Sequence, residues 1–256
     1  MTNCRLHRHA SGFSLMELAV VLMIIGTLMS GVLVGVAQST ANARITNAKA
    51  QLREIEEALY GFAQANGRLP CPASATSDGE EDPVGTGDCN EPNGFVPVAT
   101  LNLYGPVNED GLLLDPWRNP VRYSVATQTC TSCGGTRSFT SSTGLAQVFD
   151  DGAISTNDML RVCSMANCAD ASAVIYADLV PAIVYSMGAN WADYSSDDEI
   201  QNSGDGSTML GAYNIKSSAD DDFVSTTYSE EDFDDQLVWL SPYVLFNRLV
   251  SAGKLP

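Results

Sequence analysis

The apolar segment of residues 18–37 constrains the fold of this chain more than any other feature. It reads LAVVLMIIGTLMSGVLVGVA, carries no charged residue, and has only Thr27 and Ser30 as polar side chains. Because a helix rises about 1.5 Å per residue, this segment would form a rod about 30 Å long, the thickness of the hydrocarbon core of a bilayer. The sequence therefore predicts one membrane-spanning helix over about residues 18–37.

Residues 1–12, MTNCRLHRHASG, form a short basic leader in front of that segment. Arg5 and Arg8 supply its charge, and it contains no acidic residue. Positive charge beside a span keeps that end of the chain cytoplasmic. An ordinary secretory signal would place a small-residue cleavage site after the apolar run, where Ala37-Gln-Ser39 is the nearest candidate. The amphipathic pattern that begins at Arg44 indicates instead that the apolar run stays attached to the rest of the chain.

The pattern after Arg44 is that of a helix with one apolar face. Apolar residues recur three or four positions apart, with charged residues between them: Ile45, Ala48, Leu52, Ile55, Leu59 and Phe62. Nothing between the two halves breaks a helix, and Asn66-Gly67 followed by Pro70 provides a stop signal. We therefore expect one long helix over residues 13–66, with a membrane half and an amphipathic half.

The junction between leader and helix carries a family signature. Gly12-Phe13-Ser14-Leu15-Met16-Glu17-Leu18 resembles the G-F-[ST]-L-x-E-[LM] site of type IV pilins and type II secretion pseudopilins. The resemblance implies that prepilin peptidase removes residues 1–12 by cutting after Gly12 and methylates the new N-terminus at Phe13. The motif is specific, because it combines a cleavage glycine, an aromatic N-terminus and a carboxylate inside an apolar helix.

Glu17 is a carboxylate at the edge of the apolar segment. A charge costs about 2.5–3.5 kcal/mol at mid-bilayer and less near the end of a span, so a partner is expected. The resemblance implies that Glu17 pairs in the filament with the amino group of Phe13 of a neighbouring subunit. The alternative is an interfacial carboxylate that the helix dipole favours in the first turn.

Residues 67–256 are expected to form a globular domain. Alternating or β-rich segments predict strands at residues 121–125, 159–163, 180–186, 222–227 and 236–240, separated by turn-rich stretches. Ser241, Pro242 and Gly253 mark a short C-terminal helix by a cap, a first-turn proline and a stop. The predicted fold class is α+β, with the long N-terminal helix packed on an antiparallel sheet.

Asp115-Pro-Trp-Arg-Asn-Pro120, within that domain, resembles the D-P-W-G-N-P element of major pseudopilins. The resemblance implies a structural role for Asp115, Trp117 and Asn119. Arg118 stands where that family has glycine, so no ligand role is carried over.

Six cysteines remain once the leader, with Cys4, is removed. An even set in an exported domain predicts disulfides, and sequence proximity suggests the pairs Cys71–Cys89, Cys130–Cys133 and Cys163–Cys168. Pairing of residues 130 and 133 with 163 and 168 is a rival arrangement. A zinc site at those four cysteines is a further alternative, which the exported compartment disfavours.

Three acidic clusters lie in the second half of the chain, at residues 193–199, 220–222 and 230–235. Oxygen ligands in loops suit Ca²⁺, and the resemblance to major pseudopilins implies a calcium site in the C-terminal loops. The candidate ligands are Asp220, Asp221, Asp222, Asp234 and Asp235. Solvated acidic loops are the alternative, and no other cofactor is expected.

Charge and composition disfavour two function classes. The chain has 13 basic and 31 acidic residues, a formal charge of −18, so nucleic-acid binding would work against a repelling field. Both histidines, His7 and His9, leave with the leader, which removes Ser-His and Cys-His catalysis. We expect no enzymatic activity.

The sequence therefore predicts a filament subunit of a type IV pilus or a type II secretion pseudopilus. Without the leader, the mature chain of 244 residues (256 minus 12) is longer than typical major subunits, which favours a minor pilin or minor pseudopilin. Its expected partners are prepilin peptidase, other pilin-like subunits, an inner-membrane assembly platform and membrane lipid. It is expected to cross the inner membrane once before assembly, with the domain periplasmic, and then to enter the filament. The alternative is an adhesin or ligand-binding tip protein that uses the loops of residues 71–94 and 200–229.

Overall fold

The structure is a computed structural model that describes residues 14–85, 89–126, 139–141, 159–191, 196–218, 220–229 and 232–255. For residues 29–38 it describes the helical backbone alone. The chain divides into two compact units, Met1–Arg44 and Ile45–Pro256.

Helix α1 runs over Leu15–Asn66, as the sequence predicts. Ser14 precedes its first turn: the Ser14 carbonyl accepts the Leu18 N–H, and the Ser14 hydroxyl accepts the Glu17 N–H at 3.4 Å. A serine followed three residues later by glutamate is the spacing of a capping box. The helix ends where Gly67 takes a left-handed φ of 70°, and its N–H donates to the Ala63 carbonyl at 2.7 Å.

The second unit is built around the buried face of α1 and a four-stranded sheet. Five residues of α1 are at most 1% exposed: Ala48, Leu52, Ile55, Leu59 and Ala63. All of these except Ala48 belong to one core cluster with strand residues such as Tyr123 and Ile183. The predicted amphipathic face is confirmed, although Ile45 and Phe62 are only half-buried and Ala63 takes the place of Phe62 in the core.

Three sheets account for the strands in the described part of the chain. The largest has the order β1-β2-β5-β9, with every pair antiparallel: β1 is Asn93–Phe95, β2 Arg122–Val125, β5 Ala182–Ser186 and β9 Gln236–Trp239. The second has the order β4-β3-β8: β3 is Leu160–Cys163, β4 Ile175–Val180 and β8 Asp222–Val224. The third is the hairpin of β6, Met209–Leu210, and β7, Tyr213–Asn214. The pair β3–β8 is parallel, which the prediction of an antiparallel sheet did not include.

Helix α3, Pro242–Ser251, lies beside the second half of α1. Its Leu245 and Leu249 are fully buried, and the Ser241 N–H donates to the Tyr60 hydroxyl at 2.8 Å. The predicted helix is confirmed, but Ser241 contributes its backbone: its side chain makes no capping hydrogen bond.

Five described elements escaped the sequence prediction: the short strands β1, β6 and β7, the longer strand β4, and a helix, α2. Helix α2, Asp197–Ser203, is a short acidic segment that the Ser196 hydroxyl caps by accepting the Glu199 N–H at 3.3 Å. Strand β4 is the outer strand of its sheet and is largely exposed, so it shows no apolar alternation. The hydrogen bonds that define β4 join it to β3, and the local sequence does not reveal them. The cap of α2, in contrast, is a local signal that the prediction missed.

The loop that follows α1 is held by a buried ion pair between Arg68 and Glu81. Two hydrogen bonds of 2.7 and 2.6 Å join the guanidinium to the carboxylate, which also accepts the N–H groups of Cys71 and Gly85. Burial acts to raise the pKa of Glu81, but the hydrogen bonds from Arg68 and the backbone outweigh it and lower the pKa below 4.5. The loop therefore closes around a charged carboxylate.

We predict that Glu81→Gln destabilises the domain by about 3–5 kcal/mol at pH 7, because it leaves the Arg68 charge buried without a counter-ion. Since the folded-state pKa of Glu81 lies below its unfolded value, the stabilisation is present above about pH 4.5 and is lost as the pH falls through the folded-state pKa. Urea unfolding of both proteins from pH 7 to pH 3 should show the difference in free energy of unfolding shrinking with acid.

The matched control is Glu57→Gln. Glu57 pairs with Arg248 at 2.8 Å, but its side chain is 60% exposed, so this change should cost about 0–1 kcal/mol. Equal effects of the two substitutions would contradict the role assigned to Glu81.

Candidate functional site

The first half of α1 presents an apolar surface to its surroundings. Every side chain from Ser14 to Leu28 is exposed, including Leu15 at 89% and Met23 at 74%. Monomeric soluble proteins rarely leave contiguous apolar patches of more than a few hundred Å² uncovered. This helix surface is therefore suited to contact with lipid or with another protein.

Glu17 is the one charged residue of the sequence between Ser14 and Ala43. Its side chain is exposed, and no residue that the structure describes forms an ion pair with its carboxylate. A carboxylate inside such a surface gains most from a positive partner that arrives with the covering molecule. Glu17 is thus the polar contact point of an otherwise apolar segment.

Several predictions for this segment fall outside the described residues. Gly12 and Phe13 lie there, as do the side chains of residues 29–38. Over the part of the chain that is described, no helix is both long enough and apolar enough to cross a membrane. Cleavage after Gly12, methylation of Phe13 and the span at about residues 18–37 therefore stay predictions.

The Asp115 turn is a second candidate region, on the globular unit. Asp115 is buried, and its Oδ1 accepts the N–H groups of Trp117 and Asn119 at 2.9 and 2.8 Å, while its Oδ2 accepts the Ser186 hydroxyl at 2.6 Å. The Asn119 amide donates to the Gly188 carbonyl at 2.6 Å. These contacts fasten the turn to the end of β5.

Arg118 takes a left-handed backbone conformation within this turn, with φ of 74°. For a residue that carries a Cβ, this conformation costs about 1–2 kcal/mol, whereas glycine adopts it freely. The Arg118 side chain is exposed, and no hydrogen bond or ion pair joins it to the described part of the chain. The departure from glycine at this position therefore carries an energetic cost that no described contact offsets.

Buried carboxylates support the loop that follows β5. Asp234 is fully buried, and its Oδ2 accepts the Ala189 N–H. Glu199, 2% exposed, accepts the Asn190 amide at 2.8 Å and the Asp234 N–H at 3.3 Å. Burial raises the pKa of Asp234 to about 6, with the neighbouring Glu199 charge acting in the same direction. Sequence reasoning placed Glu199 only in a solvated acidic cluster and missed this supporting role.

Asp235 points into the interior beside the same group. Its Oδ2 accepts the Asn202 amide at 2.8 Å, and burial raises its pKa well above 3.8. Among the described residues, Oδ1 of Asp234 and Oδ1 of Asp235 have no hydrogen-bond partner. Two buried carboxylate oxygens are thus available to a further ligand.

The five predicted calcium ligands are not gathered at one place. Asp220 pairs with Lys216 at 2.8 Å, and Asp222 makes two hydrogen bonds to Arg161, so both charges are already neutralised. Asp221 lies between these two residues in the sequence. Asp234 and Asp235 lie with Glu199 instead. Within the described ranges, no group of three or more His, Cys, Asp or Glu residues is arranged to hold a metal ion, and calcium stays a prediction.

Disulfides join two of the three cysteine pairs that sequence proximity suggests. Cys71 is bonded to Cys89, with an S–S distance of 2.03 Å, and Cys163 is bonded to Cys168. This leaves residues 163 and 168 unavailable for the rival pairing and for the zinc site. Cys130 and Cys133 lie outside the described residues.

Known proteins resemble the chain at its N-terminus and beyond it. The family model described as the prokaryotic N-terminal methylation motif matches residues 7–33. A protein named type II secretion system core protein G, from Pseudomonas aeruginosa, is 32% identical over 116 residues, which cover 45% of this chain and 74% of that protein. No solved structure matches the chain.

We predict that Gly188→Ala destabilises the domain by more than about 2 kcal/mol. A Cβ at position 188 would overlap the Asp234 carboxyl group, and the φ of 64° is itself unfavourable for alanine. The displaced carboxylate would then lose its hydrogen bond to the Ala189 N–H. Thermal and urea unfolding of the purified domain measure the effect.

Gly206→Ala provides the comparison. Gly206 has a φ of 82°, but a Cβ there would meet nothing within 4 Å, so this variant measures backbone strain alone, about 1 kcal/mol. If Gly188→Ala costs no more than Gly206→Ala, the close packing of Asp234 on Gly188 is not a constraint on the fold.

Proposed function

The chain belongs to the family of type IV pilins and type II secretion pseudopilins, and we propose that it is a minor subunit cleaved after Gly12 by prepilin peptidase and methylated at Phe13. Members of this family are structural proteins rather than enzymes. The observation that carries the proposal is the exposed apolar helix surface of residues 14–28, which overlaps the cleavage motif of residues 12–18.

The helix has to be covered by two different environments in turn. Before assembly, residues 18–37 lie across the inner membrane with the domain in the periplasm, where lipid covers the apolar side chains. An assembly platform in that membrane then transfers the subunit to the filament, where the helices of other pilin-like subunits replace lipid. The apolar surface stays out of water throughout, so the transfer costs little hydrophobic free energy.

Cleavage also creates the partner that Glu17 lacks. It releases a positively charged amino group at Phe13, four residues before Glu17 along the chain. In the filament, the Glu17 carboxylate of one subunit pairs with the Phe13 amino group of its neighbour, so two charges that are costly in an apolar core neutralise each other. The pair sets the axial position of one helix against the next, because only one register brings the charges together.

The phenotype of a deletion of the gene distinguishes an assembly subunit from a displayed tip protein. An assembly subunit is required for the filament or for secretion through it, so both are lost when the gene is removed. A displayed adhesin would leave filaments intact and abolish attachment alone. Intact filaments and normal secretion would contradict the assembly role.

Calcium binding is a separate proposal, narrowed to Asp234 and Asp235. Their unpaired buried oxygens suit a hard cation, whereas Asp220 and Asp222 already have basic partners.

If calcium binds, a concentration 100-fold above its Kd should raise the free energy of unfolding by about 2.7 kcal/mol. Thermal unfolding in CaCl₂ and in EGTA measures this effect. The rise in melting temperature with calcium should persist in Asp220→Asn and should be lost in the double variant Asp234→Asn, Asp235→Asn. Identical melting temperatures in CaCl₂ and EGTA would reject calcium.

We predict that Gly12→Val and Glu17→Gln separate processing from assembly. The branched side chain at position 12 blocks cleavage, so the protein keeps its leader and migrates as the longer form. Glu17→Gln leaves the cleavage site intact but removes the charge that pairs with Phe13, so the mature protein accumulates in the membrane and falls at least about tenfold in sheared filaments, the loss that about 1.4 kcal/mol produces.

Glu54→Gln is the control, because Glu54 is an exposed carboxylate on the second half of the same helix. It should be processed and incorporated as the unsubstituted protein is. Normal incorporation of Glu17→Gln would contradict the pairing, and removal of the leader from Gly12→Val would contradict the cleavage site.

A further inference from the structure

A surface groove of about 590 Å³ lies beside the Asp115 turn. Its lining includes Arg118, Trp191, Tyr213, Asn108 and Glu109. It is open to solvent rather than enclosed. Small-molecule sites usually bury most of their ligand, so this shape suits a segment of polypeptide chain that lies along the surface.

Arg118 contributes a positive charge to the groove. The guanidinium has no partner among the described residues, in a chain where acidic residues exceed basic ones by 31 to 13. The backbone beneath it is left-handed, where glycine would be unstrained. A strained residue with an unused charged side chain is expected where that side chain serves an interaction absent from the isolated molecule.

The other walls of the groove are rigid and partly aromatic. The Tyr213 hydroxyl donates to Asp110 at 3.1 Å and accepts the Asn108 amide at 2.9 Å, and the ring packs edge-on against Phe95 with centroids 5.0 Å apart. Trp191 remains 39% exposed. Indole and phenol rings beside a guanidinium suit a carboxylate with an apolar side chain next to it.

A polyanion fits the groove less well than a single carboxylate. Glu109 lines the same groove as the arginine, and no second basic residue is among the described residues that line it. Nucleic acid or a polyphosphate would meet one positive and one negative charge, with the acidic chain around them. An acidic peptide segment can place one carboxylate on Arg118 and turn its other side chains to the aromatic walls.

We propose that this groove binds an acidic segment of a neighbouring pilin-like subunit in the filament, with Arg118 as the anchor of the contact. The inference rests on the proposed function, because it takes the neighbour to be a filament subunit. The Arg118 contact favours one relative position of two acidic surfaces, because it places an attractive charge pair where the surfaces would otherwise repel each other.

The test is site-specific photocross-linking in cells that make the full chain. A benzophenone amino acid replaces Val107, which lines the groove and is 50% exposed. The same probe at Tyr104, 88% exposed and outside the groove lining, is the control position. We expect a Val107 cross-link to an acidic peptide of a pilin-like subunit, identified by mass spectrometry, and no such product from Tyr104.

Arg118 variants link the product to the proposed contact. Arg118→Gly should lower the cross-link yield at least about tenfold, the loss of one charge-assisted hydrogen bond of about 1.5 kcal/mol, and Arg118→Lys should retain part of it. Because glycine relieves the backbone strain, Arg118→Gly should also raise the melting temperature by about 2–4 °C. A variant that binds less but is more stable cannot be explained by misfolding.

The inference would be overturned by the absence of a cross-link from Val107 or by a cross-link that persists in Arg118→Gly. A lowered melting temperature of that variant would also overturn it, because it would indicate a partner for Arg118 within the same chain. A cross-link to a protein or glycan outside the pilin family would also overturn it and favour a tip role. Failure of the proposed function is distinguished by the leader: a chain that is not processed fails at its N-terminus, whatever the groove does.

Discussion

The exposed apolar surface of α1 is the constraint on which the rest of this structure depends. Over residues 14–28 the helix offers water almost nothing but hydrocarbon and one carboxylate, so its stable environments are lipid and other helices. From Ile45 onward the same helix supplies the buried face on which the domain is built. One continuous helix is therefore suited to lipid or other helices in its first half and to the domain core in its second half. Glu17 is the position in the first half at which a polar contact is accommodated.

Buried carboxylates hold the domain together where regular structure is sparse. Glu81 closes the loop after α1 with Arg68, Asp115 fixes its turn to β5, and Asp234 with Glu199 supports the following loop. Carboxylates can accept several backbone N–H groups at once, which irregular segments need because they lack the ladders of helices and sheets. The acidic composition thus has a structural part in addition to the solvated one.

Local sequence patterns predicted those elements that are defined by residues close together along the chain. The spacing of apolar residues by three or four positions after Arg44 predicted the buried face of α1, and Gly67 predicted the end of the helix. Both features depend on neighbouring residues along the chain. Strand β4 and helix α2 were missed, since an exposed outer strand has no alternation and a two-turn helix depends on its cap. The same holds for the site: Glu17 was found from its motif, whereas the burial of Asp234 against Gly188 and the unpaired Arg118 depend on segments that are distant in sequence.

The account rests on maturation at one peptide bond, and the most direct test is the mass of the N-terminal peptide of the protein isolated from the membranes of the native cell. Cleavage after Gly12 and methylation predict a peptide that begins with N-methylated Phe13, and with it the loss of Cys4 and both histidines from the mature chain. A peptide that begins at Met1, or a new N-terminus beyond Ala37, would contradict the assignment of α1 as the assembly helix.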